Sequence, residues 1–462
     1  MDLKKHSKIF NFSLLPVIFT LALPTILEEL MATAVQYVDM AMVGSIGTEA
    51  TAAVGSTTTV NWLVGSTISA IGVGFIAFIS QSLGAGEKEK AVKAASQAVL
   101  AALAVGVFFT VVTLSLSGVV PAWMQVEKDL RPVASKYFFI LYTPMLFRAV
   151  TIIFGTVLRA AGDTKTPMYV GIIVNIINVV LNFFLIFETR TIDVFGFSVK
   201  CPGADLGVIG AAVASAVSFF VGGVIITIVL FRHPVISPKG HSIKPDKEIL
   251  APVLKIAAPN MLQRFCTSLG YVVFASLINS LGEVSTAAHT VANTVESAFY
   301  VPGYGMMAAA ATLAGNAIGA KEKTKLKETS RMIFLSEIVM MIVSGGLLFA
   351  FAPFMMGLFS SDPEVIRMGS IVLRMVSLSE PFYGVSIVTE GIMQGAGETI
   401  RPFIFNAGSM WGIRILGTFI CINLIGLGLI SAWACMIVHN LALLAMLWIY
   451  YKKGKWNPLV NV

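Results

Sequence analysis

The chain has 462 residues, of which 56% are hydrophobic and only 12% are charged. Soluble domains carry about 25% charged residues, and a soluble core could not bury so much apolar chain. This composition excludes an ordinary soluble domain and predicts a protein that crosses a membrane many times. The net charge of +7 does not indicate nucleic-acid binding, because the lysines lie in short loops beside apolar segments.

Twelve apolar segments are each long enough to cross a bilayer as a helix, which requires about 20 residues. In chain order they cover 14–38, 53–79, 94–118, 133–158, 166–188, 208–231, 250–278, 287–314, 330–352, 367–393, 403–424 and 428–451. Because these runs are long and do not alternate with polar residues, strands are not expected. We predict an all-α membrane protein with twelve transmembrane helices.

The first segment follows lysines, as a signal peptide would, but it continues past Glu28 and Glu29 without a cleavage site. We therefore interpret it as a retained helix. The chain tails and every second loop hold 22 Lys and Arg residues, whereas the opposite loops hold six. Since positive loops stay on the cytoplasmic side, both termini are predicted to be cytoplasmic, with the protein in the cell membrane.

The two halves of the chain are copies of each other. A gapless shift of 235 residues places Pro24 on Pro259 and "LRAAGDTKTP" (158–167) on "MQGAGETIRP" (393–402). Each copy has six spans, so we expect two lobes related by a pseudo-two-fold axis along the membrane normal. The predicted units are an N-terminal lobe (1–231, spans 1–6), a cytoplasmic linker (232–249) and a C-terminal lobe (250–462, spans 7–12). We interpret the linker as a plain tether.

Enzyme motifs are absent from the sequence: it has no H-E-x-x-H, G-x-x-x-x-G-K-[ST], G-x-S-x-G or C-x-x-C. The protein is therefore expected not to be an enzyme. The four cysteines lie far apart and are interpreted as free thiols: Cys201, Cys266, Cys421 and Cys435. Ionisable residues inside the spans are the best indicators of function, because each is costly in lipid unless it faces protein or water.

In the N-terminal half, Asp39 follows Glu28 by eleven residues, which places both on one face of the first helix. Gln36 lies one turn from Asp39, so we expect a polar stripe, although Asp39 could instead merely end the helix at the outer interface. Glu29 points elsewhere and is interpreted as a lone carboxylate at the lobe seam.

Spans 5 and 6 add polar residues to this half. Asn175, Asn178 and Asn182 form one stripe on span 5, and Ser215 is the better candidate for a polar contact on span 6. Such side chains either hold helices together or take part in an ion or proton network.

In the C-terminal half, His289 begins span 8, and Glu296 lies seven residues further on the same face, about 10 Å deeper. Glu390 takes the place of Gly155 in the repeat, so this acid belongs to one lobe only. His439 is interpreted as a packing histidine. The arginines inside spans are interpreted as partners of the acids or as snorkelling to an interface: Arg148, Arg264, Arg374 and Arg414.

Three stretches resemble the multidrug and toxic compound extrusion (MATE) family: "YVDMAMVGSIG" (37–47), "LRAAGDTKTP" (158–167) and "AAHTVANTVESAFYVPGYGMMAAAATLAGNAIGA" (287–320). The resemblance covers nearly the whole chain. It implies two six-helix lobes around a central cavity. It also implies a secondary active antiporter that exports amphipathic or cationic organic compounds by alternating access. The exchange would use Na⁺ or H⁺, with no other cofactor, and we expect a monomer in contact with membrane lipid.

The resemblance also implies functional residues. Asp39 matches the family's acid in the first helix, and Asn178 matches its asparagine in helix five. Asn182 stands where prokaryotic members have an aspartate, and Ser215 matches a hydroxyl in helix six. We predict that these four residues bind the coupling cation, with Asp39 as the ligand of any Na⁺.

A second branch of the family uses a glutamate in helix seven and an aspartate in helix ten. Thr267 and Tyr383 occupy those positions here, so that site is not transferred. The remaining candidates are three coupling or substrate carboxylates (Glu28, Glu296 and Glu390) and three cavity residues (Gln36, His289 and Tyr383).

Other functions stay open at this point. A flippase for lipid-linked oligosaccharides, from the same wider superfamily, would favour a strongly cationic central cavity. A membrane-embedded enzyme would need clustered polar nucleophiles at a membrane edge, and the sequence offers none. A channel is disfavoured, because duplicated halves suit alternating access.

Overall fold

The computed structural model describes residues 10–124, 126–194 and 197–460. Its main helices are α1 (Leu15–Gly44), α2 (Thr48–Gly84), α3 (Lys88–Leu116), α4 (Arg131–Tyr142), α5 (Met145–Ala160), α6 (Lys165–Leu185), α7 (Gly207–Arg232), α8 (Lys247–Asn279), α9 (Glu283–Gly319), α10 (Lys323–Phe359), α11 (Pro363–Ser377), α12 (Glu380–Gly395), α13 (Ile400–Ser409) and α14 (Leu429–Lys453). A 3₁₀ turn (Phe12–Leu14) precedes α1, and a short helix (Val120–Trp123) follows α3. Beyond α13 the chain continues as π-helix (Met410–Ile415), one α-turn (Leu416–Phe419) and π-helix again (Ile420–Leu424).

These helices make the twelve predicted passes. Within the described ranges, nine helical segments are individually long and apolar enough to cross a membrane. Two more passes are bent pairs, with 46° between α4 and α5 and 54° between α11 and α12. The twelfth is α9, which has 37 residues and carries the polar side chains of His289 and Glu296. The predicted fold class, twelve helices in two lobes, is confirmed.

A β-hairpin lies outside the spans and was not predicted. Strands β1 (Glu188–Val194) and β2 (Phe197–Ala204) pair antiparallel between α6 and α7. The expectation of no strands was wrong here because it rested on the long apolar runs, whereas this segment is short and rich in β-branched residues. The Arg190 guanidinium of β1 stacks 4.6 Å from the centre of the Phe183 ring in the last turn of α6, which fixes the hairpin to the bundle.

The repeated motifs "LRAAGDTKTP" and "MQGAGETIRP" form the same turn in each lobe. Gly162 and Gly397 have φ values of 87° and 82°, which glycine adopts without strain. The acid that follows accepts a hydrogen bond from the backbone N–H three residues later, at 3.0 Å in both lobes, from Thr166 to Asp163 and from Arg401 to Glu398. This capping explains why the repeat keeps glycine and an acid at these positions.

The first helix of each lobe packs against the second helix of the other lobe. Ile18, Ala22 and Ile26 of α1 belong to a buried cluster built otherwise from C-terminal helices. A Cβ on Gly305 of α9 would lie 2.7 Å from the backbone nitrogen of Ile26, so the two backbones touch. The predicted lobe boundary at residue 231 therefore does not describe the packing of α1, which joins both lobes.

The linker between α7 and α8 is held in place and is not a plain tether. Gln97 of α3, which is only 2% exposed, donates to the Lys244 carbonyl at 2.9 Å and accepts from the Asp246 backbone nitrogen at 3.0 Å. Ile236 is fully buried as well. The interpretation as a tether was wrong because the apolar and amide contacts of this segment are not visible in its composition.

The two lobes meet at the end of the bundle that carries the lysine-rich turns after α2 and α9, which we call the lysine-rich end. A Cβ on Gly84 would collide with the Asn316 carbonyl, and a Cβ on Gly319 would collide with the Gln81 carbonyl. The 235-residue shift relates Gly84 to Gly319 and Gln81 to Asn316. The contact is thus reciprocal, as an approximate two-fold axis requires, and it closes this end of the space between the lobes.

The predicted orientation can be tested by labelling single cysteines with a membrane-impermeant maleimide in a variant without the four native thiols, which are all free. Cysteines in loops 80–93, 232–250 and 315–331 are expected to react only from the cytoplasm, and those in 119–132 only from outside. Reaction of a cysteine near residue 325 from the outer face would contradict this orientation. The lysines before residue 10 that contribute to the charge argument lie outside the described residues.

Candidate functional site

A cavity of about 490 Å³ lies between the lobes, in the part of the chain that the structure describes. Its walls come from α1, α2 and α5 of the N-terminal half and from α8, α9, α12, α13 and α14 of the C-terminal half. The cavity is therefore asymmetric, with most of its lining from the C-terminal helices. Its size is within the range of sites for small organic molecules, about 300–1,000 Å³.

The two faces of α1 serve different places. Glu29, Thr33 and Gln36 line the cavity. Asp39 is not among the lining residues and faces α6 instead. Gln36 and Asp39 lie about 60° apart around α1, but Gln36 reaches the cavity whereas Asp39 contacts Asn182 of α6, so the predicted polar stripe is divided between two places. Glu29, interpreted as a lone carboxylate at the lobe seam, has its side chain exposed to this cavity between the lobes.

The structure brings together the four residues predicted to bind the coupling cation. Asn182 donates to Asp39 Oδ1 at 2.6 Å. The Asn178 amide, oriented to satisfy its neighbours, donates to the two Asp39 oxygens at 2.8 and 3.0 Å and accepts from the Ser215 hydroxyl at 3.1 Å. Asn178 and Asn182 are 6% and 1% exposed, and Asp39 and Ser215 are half-buried. The alternative that Asp39 merely ends its helix does not account for these contacts; cation binding stays a prediction.

One amide oxygen in this polar cluster makes no hydrogen bond. Among the described residues, Asn182 Oδ1 is buried and has no hydrogen-bond partner. It belongs to the amide whose nitrogen donates to Asp39, and a carboxylate with an amide oxygen is a donor set that suits a hard cation. A proton on an Asp39 oxygen is the other possibility, because a carboxyl group can take up a proton whereas its amide neighbours cannot. The geometry of the four residues does not by itself select Na⁺ or H⁺.

Glu28 forms an ion pair within the first lobe. Arg159 of α5 donates to both Glu28 oxygens, at 2.8 and 2.9 Å, and both side chains are mostly buried. The Arg159 carbonyl in turn accepts from Thr312 of α9 at 3.2 Å. Glu28 therefore connects α1 to the first lobe at the seam, and it does not line the cavity.

Glu390 stands in a wall of amides and aromatic rings. Gln263 donates to Glu390 at 3.2 Å, and both residues line the cavity. Tyr383, the third predicted cavity residue, also lines it, with its hydroxyl 3.4 Å from that of Tyr304 and its ring 5.7 Å from that of Tyr300. Sequence analysis did not identify the other tyrosines of this wall, because an aromatic residue in an apolar span has no distinctive pattern. A carboxylate beside aromatic rings is suited to an organic cation.

Glu296 and His289 occupy different surroundings although they share a helical face. Glu296 lines the cavity and interacts electrostatically with Arg414. His289 does not line it, because its ring is enclosed by Phe274 and Trp433 at centroid distances of 5.6 and 5.8 Å. The prediction of His289 as a cavity residue was wrong, since α8 and α14 close the cavity before it reaches this turn of α9.

Of the four arginines that lie inside the spans, two make packing contacts and two line the cavity. Arg148 donates to Asn61 of α2, and Arg374 stacks on Phe349 at the bundle surface. Arg414 stacks 4.1 Å from Phe274 and, with Arg264, lines the cavity. His439, interpreted as a packing residue, lines it as well. Within the described chain, no group of three or more His, Cys, Asp or Glu side chains is arranged to hold a metal ion.

Twelve helices in two repeated lobes, with ionisable groups around an internal cavity, define a multi-pass membrane transporter. The chain belongs to the MatE family, whose model matches residues 24–184 and again residues 259–420. The two matches start 235 residues apart, the same shift that relates the two halves of the sequence.

Two of the relatives are multidrug resistance or export proteins by name. The chain is 27% identical over 437 residues to the "Probable multidrug resistance protein NorM" of Thermotoga maritima, covering 95% of this chain and 92% of that protein. It is 25% identical over 387 residues to the "Multidrug export protein MepA" of Staphylococcus aureus, covering 82% and 80%. This chain is thus a transporter of a drug-extruding family.

Solved structures share the fold. An outward-facing multidrug resistance MATE family transporter of the MOP superfamily superimposes with a TM-score of 0.88 at 22% identity, covering 96% of each chain. A MATE crystal structure in complex with MaD3S gives a TM-score of 0.87 at 22% identity, covering 96% of this chain and 97% of that one. These likenesses establish the twelve-helix, two-lobe architecture.

Proposed function

We propose that this protein is a secondary active antiporter that exports amphipathic or cationic organic compounds in exchange for H⁺ or Na⁺ by alternating access. One observation carries the proposal: a single helix, α1, lines the cavity with Gln36 and contributes Asp39 to a separate polar cluster. A cation that binds at Asp39 can therefore alter the cavity without entering it. The reciprocal glycine contact closes the lysine-rich end in this conformation, and rocking of the lobes would open it.

The chemistry of the cavity supports the substrate class. Its tyrosine rings offer apolar faces to a flat organic compound, and Glu390 offers a negative charge next to them. Exposed amides such as Gln36 can orient a polar substituent. Substrates in the membrane or cytoplasm with one cationic group and an aromatic body fit this lining.

The flippase alternative is less well supported. Three arginines and three glutamates line the cavity in the described residues, and their charges balance: Arg159, Arg264 and Arg414 against Glu29, Glu296 and Glu390. A carrier of lipid-linked oligosaccharides, whose diphosphate is strongly anionic, would need an excess of positive charge. The balanced lining does not supply that excess.

The proposal is tested by efflux from proteoliposomes that contain the purified protein and are preloaded with ethidium. Ethidium efflux is expected only when a pH gradient or a Na⁺ gradient is imposed, and it should stop when an ionophore collapses that gradient. Empty vesicles under the same gradients measure passive leakage. Efflux that proceeds at the same rate without any gradient would contradict antiport, and comparison of the two gradients identifies the coupling ion.

The charge on Glu296 is expected to matter for transport. Replacing Glu296 with glutamine should lower ethidium efflux at least tenfold, because the change removes a negative charge that interacts with the buried Arg414 guanidinium in the cavity wall. The efflux rate under an imposed gradient measures this effect. Glu283→Gln, on the exposed first turn of the same helix, is the control. Wild-type efflux by Glu296→Gln would assign Glu296 a purely structural role.

A further inference from the structure

A buried carboxylate in the C-terminal lobe has no role in the mechanism above. Glu337 lies near the middle of α10 and is 0% exposed. Within the described residues, neither Glu337 side-chain oxygen has a hydrogen-bond partner. An ionised carboxylate in such surroundings would be strongly destabilised, because nothing replaces the solvation that it loses.

The protein makes room for this carboxylate with two glycines. A Cβ on Gly303 of α9 would lie 2.9 Å from Glu337 Oε1, and a Cβ on Gly384 of α12 would lie 2.7 Å from the same atom. The thioether of Met341 and the methyl group of Ile387 surround the same place. The pocket is therefore apolar apart from the carboxyl group itself.

The N-terminal lobe shows that the pocket is specific to one half. The 235-residue shift relates Glu337 to Ala102, Gly303 to Ile68 and Gly384 to Ala149, all three fully buried in the first lobe. One lobe thus fills this space with ordinary apolar side chains. The other lobe removes those side chains from two helices and inserts a carboxyl group from a third.

A second buried carboxylate lies one helical turn from this pocket, since Glu380 precedes Gly384 by four residues on α12. Glu380 begins α12 at the 54° bend after α11, is 1% exposed, and interacts electrostatically with both Glu337 and Glu296. Its Oε2 also lacks a partner in the described part of the chain. Glu296 lines the cavity, so Glu380 is within electrostatic reach both of the cavity wall and of Glu337.

The other titratable groups near α10 do not compensate Glu337. On the helices packed against α10 they are Glu283, His289, Glu296, Tyr300 and Tyr304 of α9, Glu364, Arg367 and Arg374 of α11, and Glu380, Tyr383 and Glu390 of α12. Of these, Glu380 is the group that interacts electrostatically with Glu337. Glu364 and Arg367 pair with each other at the surface.

We propose that Glu337 is a proton-binding residue of the C-terminal lobe, separate from the Asp39 cluster, and that it exchanges its proton with the cavity through Glu380 and Glu296. The bound species is a proton because a metal cation would need several oxygen ligands, whereas Glu337 is surrounded by glycine, methionine and isoleucine. The step is a simple transfer in which a carboxylate oxygen accepts H⁺ on loading and releases it on unloading. Any contribution to antiport rests on the proposed function; the protonation itself does not.

Infrared spectroscopy of the purified protein in lipid tests the protonation directly. At neutral pH, the wild-type protein is expected to show a carbonyl stretching component of a protonated carboxylic acid that is missing from Glu337→Gln. Glu364→Gln, which removes a paired carboxylate at the surface, is the matched control and should retain the component. An identical acid band in wild type and Glu337→Gln would overturn the proposal.

A measurement on the unmodified protein covers the case in which Glu337→Gln does not fold. Dicyclohexylcarbodiimide reacts with protonated carboxyl groups in apolar surroundings, so mass spectrometry should locate an adduct on Glu337 at mildly acidic pH. The yield should fall as the pH is raised. Absence of the adduct from Glu337, when other buried acids of the same sample are modified, would also overturn the proposal. Neither readout depends on transport, so failure of the antiport hypothesis is recognised separately.

Discussion

Replacing Asp39 with asparagine is expected to abolish gradient-driven efflux while the protein keeps its fold. Asparagine has the shape of the carboxylate and can still accept a hydrogen bond from Asn182, but it can neither take up a proton nor neutralise a cation. A carried elementary charge gains about 2.3 kcal/mol per 100 mV of membrane potential, which would drive a substrate uphill by more than tenfold. That driving force should be lost in the variant. The measurement is ethidium efflux from proteoliposomes under an imposed ion gradient.

Asp129→Asn is the matched control for this experiment, because Asp129 is an exposed aspartate in the loop before α4. It should transport at the wild-type rate. Thermal unfolding in detergent should give similar midpoints for the wild type and for both variants. If Asp39→Asn pumps ethidium at the wild-type rate under the same gradient, the coupling cation does not bind at Asp39, and Glu296 and Glu390 become the next candidates.

Replacing Gly319 with valine is expected to open the lysine-rich end of the bundle. The added side chain would collide with the Gln81 carbonyl of α2, which is backbone and cannot rotate away. Overpacking of this kind costs about 1–3 kcal/mol. Because the strain exists only while the lobes are in contact there, it should shift the population toward the conformation open at this end, by about 5–150-fold. Efflux should fall with it, since the cycle requires both conformations.

The shift can be measured by cysteine accessibility. Gln394 lines the cavity beside the closed contact, where the neighbouring Gly395 carbonyl accepts from Gln81 at 2.8 Å. In a variant without native thiols, Gln394→Cys should react faster with an impermeant maleimide from the lysine-rich side when Gly319→Val is present. Gly346→Val is the control, because no atom lies within 4 Å of a Cβ at that position. Equal labelling rates in both backgrounds would show that the contact does not hold this end closed.

The sequence predicts the architecture well because the physical signals are strong. Long apolar segments can only be helices in a bilayer, and a register kept over the whole chain can only be a duplication. The same logic placed Glu28 and Asp39 on one side of α1, and the structure has both facing the second half of the first lobe, Glu28 toward Arg159 and Asp39 toward Asn182.

Predictions about individual side chains failed where packing against neighbouring helices determines what a side chain contacts. His289 and Glu296 share a face of α9, yet only Glu296 reaches the cavity, because Phe274 and Trp433 cover the other turn. Helical periodicity gives the direction in which a side chain leaves its own helix. It gives no information about which residues of neighbouring helices lie opposite that side chain. The bend between α11 and α12, on which the position of Glu380 depends, is likewise set by packing.

Glu337 was not identified from the sequence, and the reason differs from that for His289. It lies in "FLSEIVMM" within an apolar span, so the rule that a charge in a span indicates function would have identified it from the sequence alone. The glycines that accommodate it could not have been assigned, because Gly303 and Gly384 belong to two other helices. Comparison of the repeats would have helped, since Glu337 corresponds to Ala102.

The two faces of α1 have a thermodynamic consequence. If occupancy at Asp39 and occupancy of the cavity favour different positions of this helix, each ligand must weaken the other by the same factor, because linkage between two binding sites is reciprocal. A compound that lowers the affinity for the coupling cation tenfold then has its own affinity lowered tenfold by that cation. Substrates could therefore be ranked without any transport assay, by the shift that each produces in the cation titration of the purified protein. A compound that occupies the cavity without moving α1 would produce no shift and would act as an inhibitor.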